Sequence, residues 1–425
     1  MNSVNQQKVT ESPPVMSVIE QTTAEGVVEP PPEGGCLAWT QVAMGHLVIF
    51  NSMGYVSSFG LFQQYYALTL NRPVSDISWI GSLQLCLLLF IGAFSGRALD
   101  RGYFKTLISI GCGLQVIGTF STSFATKYWQ LLLAQGICTG FGHGLLFCPM
   151  ISLISTYFSK RRSIAIGIAA CGSATGGLVF PAIAYSCLEH IGFPWTVRIM
   201  GFVMLANNCF VILLTKTRIA PKASGPWVDL SAFRELPYTL YSIGLFLTLW
   251  GVYFAYYYVS IFSRDILLVS TRQSTTVLLV INGVGVFGRI IPGLVADRWF
   301  GSLYCLVIAS FISGLLLFCW IAIHGFPGLM TWVVFYGLFA NAVQALFPAA
   351  SSTLTTKLEM MGTRLGMVFA VISIACLTGP PIAGALISAN NGSFLYAQIF
   401  GGCSMLIGSM VMIGSIAAKR VSERK

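Results

Sequence analysis

Apolar stretches of about twenty residues recur from Cys36 onward, separated by short segments that hold nearly all the charge. Twelve can be delimited: 38–62, 78–98, 105–125, 129–153, 164–187, 196–214, 238–260, 275–297, 302–322, 329–354, 365–387 and 394–416. A helix of that length matches a hydrocarbon layer about 30 Å thick. Helix is the required conformation, because a membrane β-barrel would alternate apolar and polar residues over segments of about ten. Several stretches are rich in Gly, which lets helix backbones approach closely in lipid. The pattern predicts an all-α membrane protein with twelve transmembrane helices.

The polar segments divide the chain. Residues 1–35 form a polar tail with proline clusters at Pro13-Pro14 and Pro30-Pro31-Pro32, a composition expected to be disordered. The tail lacks the basic start and apolar core of a cleaved signal peptide. Residues 36–214 and 238–416 each hold six spans, joined by the polar linker 215–237, and a short tail occupies 417–425. The halves share landmarks. Gly96-Arg-Ala-Leu-Asp100-Arg101 closes span two and Gly293-Leu-Val-Ala-Asp297-Arg298 closes span eight, 197 residues later. Phe147-Cys-Pro149 answers Phe347-Pro348, and Pro181 answers Pro380, each pair of prolines 199 apart. A duplication of this kind predicts two six-helix bundles facing a central site and rocking about it, which is alternating access.

Charge sets the orientation. Only 9% of residues are charged, against roughly 25% in soluble proteins, so the net charge of +10 is read by location. With both termini cytoplasmic, eighteen Lys and Arg fall on the inner side and five on the outer. The basic balance is an orientation signal, and no nucleic-acid partner is expected. Twelve cysteines show no metal-ligand spacing and read as buried thiols. No metal cluster, phosphate-binding loop or nucleotide domain is evident, so no cofactor, no ATP-driven pump and no enzyme is expected. The partners are the lipid bilayer and a small organic solute, with or without a proton.

Arg289 is the one basic residue that belongs to neither side. A charge inside a span costs roughly 2.5–3.5 kcal/mol on the insertion scale, and no span carries an Asp or Glu near its middle to neutralise it. It is a candidate cation for a carboxylate or another electron-rich group, with bonding to backbone carbonyls as the structural alternative. His46 and His143 are proton-relay candidates, or neutral packing groups, and His143 is also a candidate solute contact. Asn51 and Asn282, like Gln84, Gln135, Asn207, Asn208, Asn341 and Gln344, either join helices or line a cavity. Trp250, Tyr253 and Tyr257 share one face of span seven. Tyr253 lies deep enough to meet a planar solute, whereas Tyr257 and Tyr258 fit an interfacial belt.

The twelve-span plan and Gly96-Arg-Ala-Leu-Asp100-Arg101-Gly102 resemble the major facilitator superfamily. More narrowly, Pro31-Pro32-Glu33-Gly34-Gly35 with Trp39, and the run from Tyr157 through Lys160-Arg161-Arg162 to Gly176-Gly177, resemble the monocarboxylate porter family. The stretch from Gly362-Thr-Arg364 to Gly379-Pro380-Pro381 is similar to its fungal branch. The resemblance, over residues 31–417, implies the major facilitator fold and secondary active transport of a small carboxylate or aromatic metabolite across the plasma membrane. Export of a fungal secondary metabolite is the alternative, and a transporter-like solute sensor a remote one. It also implies a gating role for Asp100, Arg101, Asp297 and Arg298. Two positions depart from the carriers of monocarboxylates. Gly285 stands where those have an Asp four residues before the span-eight Arg, and Val56, Ser57, Ser58 and Phe59 stand where span one would carry a Lys.

Overall fold

The computed structural model describes residues 32–100, 102–158, 161–218, 229–354 and 361–423. The tail up to residue 31, Arg101, Lys160, residues 219–228 of the linker and the side chain of Asp100 lie outside the described residues. All regular elements among the described residues are helical.

Ten helices are long and apolar enough to cross a bilayer. One of them, Ile164–Leu214, has 51 residues, about twice what a single crossing needs. Gly192, at φ 75° and ψ 170°, breaks it into two. A twelfth span, at residues 35–70, is interrupted by a wider turn at Phe50–Gly54 and by Ser58. We label the spans α1 (35–70), α2 (Val74–Asp100), α3 (Phe104–Thr122), α4 (Tyr128–Tyr157), α5 (162–191), α6 (193–214), α7 (Leu236–Asp265), α8 (Thr271–Phe300), α9 (Ser302–Ile321), α10 (Phe326–Thr353), α11 (Met361–Ala389) and α12 (Leu395–Glu423). Local sequence sets the ends. Asn71 at φ 48° stops α1. A capping box opens α8, with Ser270 Oγ accepting from the Gln273 amide at 3.3 Å and the Gln273 side chain accepting from the Ser270 amide at 3.1 Å.

The duplication read from the landmarks recurs in the packing. Contacts of α2 with α4 and of α3 with α4 are matched by those of α8 with α10 and of α9 with α10. Between the halves, α2 packs on α11 and α5 on α8, the two contacts that a pseudo-two-fold axis would exchange. The result is the twelve-helix, two-bundle architecture that the pattern predicts.

Glycines set the closest crossings. A Cβ on Gly172 of α5 would stand 2.2 Å from the His46 carbonyl oxygen of α1. One on Gly54 of α1 would stand 2.5 Å from the Gly176 Cα. These residues let α1 and α5 touch backbone to backbone.

Candidate functional site

The central cavity is lined by α1, α2, α4, α5, α7, α8, α10 and α11 and has a volume of about 60 Å³. Its wall is mostly apolar, from residues such as Ile49, Met53, Phe147, Ile151, Phe347 and Ile372. Four polar side chains face it: Ser173, Tyr253, Arg289 and Gln344. A smaller hollow lined by Val56, Ser57, Tyr256 and Tyr257 shares Met53, Tyr253 and Gln344 with it.

Arg289 is 5% exposed, and its Nη1 is buried without a hydrogen-bond partner among the described residues. No Asp or Glu pairs with it among the described residues. The ionisable groups within its electrostatic reach are Tyr253, Tyr256 and Cys171. Gly285, one turn earlier, makes the space it fills: a Cβ there would lie 2.8 Å from Arg289 Nη1 and 2.7 Å from Asn341 Nδ2. Asn341 is occupied with backbone, donating to Ile281 O at 3.3 Å and Gly337 O at 2.6 Å. Its Oδ1 accepts from no group. The cavity therefore presents a planar cation beside an amide and a phenol, which suits a flat, electron-rich solute.

The polar face of α7 is buried. Tyr253 Oη reaches Gln344 Oε1 at 3.5 Å, the outer limit of a hydrogen bond. Trp250 Nε1 donates to Thr378 Oγ1 of α11 at 3.0 Å. Tyr257 and Tyr258 do not form an interfacial belt: they are 2% and 1% exposed. Tyr257 packs on Phe59 with ring centroids 5.2 Å apart, and Tyr258 Oη donates to Pro380 O at 3.0 Å. Both rings lie where the two halves meet, so protein rather than lipid covers them.

The other candidates lie elsewhere. Asn51 donates to Asn208 Oδ1 at 3.0 Å and accepts from Asn207 Nδ2 at 2.9 Å, and Asn208 donates to Gln115 Oε1 at 2.8 Å. That network joins α1, α3 and α6. Asn282 donates to Leu278 O at 2.9 Å and lies beside Gly177, in the contact of α8 with α5. His46 spans α1 and α5, with Nδ1 3.0 Å from Ile168 O and Nε2 2.9 Å from Thr175 Oγ1. His143 is fully buried inside the first half, edge-on to Tyr55 at 6.4 Å, and neither ring nitrogen has a hydrogen-bond partner. It is absent from the cavity wall, as are His46, Asn51 and Asn282. Asp297 and Arg298 lie on the exposed last turn of α8, the Arg298 guanidinium 5.9 Å from the Trp299 ring.

The two halves touch at both ends of the cavity. At the end carrying the basic loops, Arg97 of α2 donates to Thr363 of α11, and a Cβ on Gly366 would stand 3.0 Å from Ala93 O. Beside this contact is an ion cluster that sequence inspection did not single out. Arg364 is buried and donates to both Glu235 carboxylate oxygens, at 2.8 and 2.5 Å, and to Asp229 Oδ2 at 3.1 Å. At the opposite end α1 meets α7, where a Cβ on Gly60 would stand 3.0 Å from Tyr256 O. There α11 also meets α2, with Gly384 against Ser75.

Comparison with known proteins gives a consistent picture. The profile described as Major Facilitator Superfamily matches residues 45–316. An MFS-type transporter of Gibberella zeae is 44% identical over 423 residues, covering 98% of this chain and 96% of its own. The aspyridones efflux protein of Emericella nidulans is 34% identical over 410 residues, covering 94% and 83%. The agnestins efflux protein of Paecilomyces divaricatus is 32% identical over 410 residues, covering 94% and 92%.

Proposed function

The chain belongs to the Major Facilitator Superfamily, and from that premise we propose that it exports a small aromatic metabolite carrying a carboxylate or a comparable anionic group. One observation carries the choice of solute: Arg289 is buried on the cavity wall without an acidic partner among the described residues. A buried cation without a counter-charge is costly, and an anionic solute offsets that cost each time it binds. Tyr253, Phe147 and Phe347 supply flat apolar surface around it. Export is favoured by the names of relatives that align over nearly the whole chain.

The resemblance to the monocarboxylate porters supports the same chemistry, while Gly285 in place of an Asp sets this chain apart from their proton-coupled members. The positive-inside bias supports a carrier with both termini, and the end bearing Arg97 and Arg364, in the cytoplasm, and the family resemblance supports the plasma membrane as its site. The cavity-wall residues Arg289 and Tyr253 are the solute contacts in this reading, with Gln344 and Ser173 added. Asn51 and Asn282 hold helices together. Gating falls to Arg97, Thr363 and the Arg364 cluster, beside Asp100, Arg101, Asp297 and Arg298.

Two probes of nearly equal shape test the reading: 2-naphthoate and its neutral analogue 2-naphthamide, bound to purified protein in detergent. The anion is expected to bind at least tenfold more tightly, since a charge-assisted contact is worth about 1.5–3 kcal/mol. Equal affinities would contradict an anion site.

A further inference from the structure

We infer that transport through this cavity is electrogenic, with the membrane potential rather than a proton gradient driving the anion outward. The inference rests on the proposed anion site and adds its energy source.

Charge accounting at membrane depth carries it. All fourteen acidic residues lie in tails, loops or span ends. The other buried arginines, Arg97 and Arg364, lie near the terminal turns of α2 and α11, and Arg364 is paired with Asp229 and Glu235. Arg289 alone remains well inside a span, eleven residues from the end of α8, or about 16 Å along the helix. The empty cavity therefore carries one positive charge, and the cavity loaded with a monoanion carries none.

A proton could cancel that asymmetry only through a group on the cavity wall that changes protonation near neutral pH. Among the described residues the wall offers none: its polar side chains are Ser173, Tyr253, Gln344 and the always-charged Arg289. Tyr256 and Cys171, also within reach of Arg289, ordinarily stay protonated at neutral pH. His143 faces Tyr55 inside the first half, and His46 has both ring nitrogens engaged with α5. Neither histidine touches the solute space.

The cycle then balances as follows. The carrier facing the cytoplasm takes up one anion, crosses as a neutral complex and releases the anion outside. It returns empty with Arg289 uncompensated, so one positive charge moves inward. Each cycle carries one negative charge out. An inside-negative potential pulls the positive carrier back and drives net export at any pH where the solute is ionised.

Reconstituted wild-type protein tests this, with 2-naphthalenesulfonate as an aromatic anion that stays ionised at every accessible pH. A potassium gradient with valinomycin sets the potential, and the pH gradient is varied separately. With the liposome interior positive, the probe should accumulate toward about tenfold per 59 mV. A pH gradient at clamped potential should change nothing. Accumulation that follows the pH gradient and ignores the potential would overturn the inference. Binding of the probe in detergent, wild type against Arg289→Gln, is measured in parallel. No binding, or equal binding by both, would overturn the anion site itself, and the inference with it.

Discussion

The guanidinium of Arg289 occupies the space that a side chain on Gly285 would need, with Nη1 2.8 Å from the position of a Cβ there. Both residues lie on α8, one turn apart, and the neighbouring Asn341 is tied to the backbone. Gly285→Ala should therefore push the guanidinium off its seat while leaving the helix intact. The affinity for 2-naphthoate should fall several-fold, with a smaller loss of thermal stability, because the same Cβ would stand 2.7 Å from Asn341 Nδ2. An unchanged affinity would show that the arginine has another equally good position.

The crossing of α1 and α5 should tolerate no added bulk. At Gly172 a Cβ would collide with the His46 carbonyl at 2.2 Å, and backbone cannot yield as a side chain can. Overpacking of this kind typically costs about 1–3 kcal/mol. Gly172→Val should lower the thermal midpoint and the monodisperse yield in detergent. Gly113 of α3, with nothing near its Cβ position, is the control that should not.

Arg364 links the start of α11 to Glu235 at the start of α7 and to Asp229 before it. Glu235→Gln should lower the melting temperature by a few degrees, since Arg364 keeps Asp229 as a partner. The Asp229 carboxyl is held below the usual carboxylate range, first by the Ser231 hydroxyl and then by Arg364, against an opposing effect of burial. Its contribution is thus complete above the ordinary carboxylate value near 3.9 and is lost only as pH falls through the lower folded value. Between pH 5 and 8 this carboxylate should add no slope to a stability profile. A slope in that range that disappears in Asp229→Asn would contradict the pairing.

Orientation has its own test. With eighteen Lys and Arg on one side and five on the other, tags at Met1 and Lys425 should both resist external protease in intact cells. Cleavage of either without lysis would reverse the assignment of the cytoplasmic end.

The architecture was legible because lipid allows so few solutions: length, hydropathy and charge placement led to twelve helices before any contact was known. The repeat also pointed toward the cavity. Phe147 and Phe347-Pro348, matched across the halves by sequence offset, line its wall, and both phenylalanines pack on Phe369. Arg289 stood out because no other charge lies so deep. The asparagines were harder to read, since periodicity does not say which face of a span meets another helix and which meets the cavity. Asn51 took the first course, through Asn207 and Asn208, and Gln344 the second. The cluster of Arg364, Glu235 and Asp229 was hidden because its members are up to 135 residues apart and read in isolation as loop charges.

The central claim is that Arg289 meets the solute directly. The measurement is 2-naphthoate binding to purified wild-type, Arg289→Lys and Arg289→Ala proteins in detergent, with monodispersity checked for each. Arg289→Ala should weaken binding about tenfold or more, the loss of one buried charge-assisted contact. Its yield should be unchanged, because removing an unpaired buried charge relieves a desolvation cost. Arg289→Lys should fall between the two, keeping the charge and losing the planar fork. Equal affinities across three monodisperse proteins would contradict the claim, and aggregation of Arg289→Ala alone would show that the guanidinium serves the fold rather than the solute.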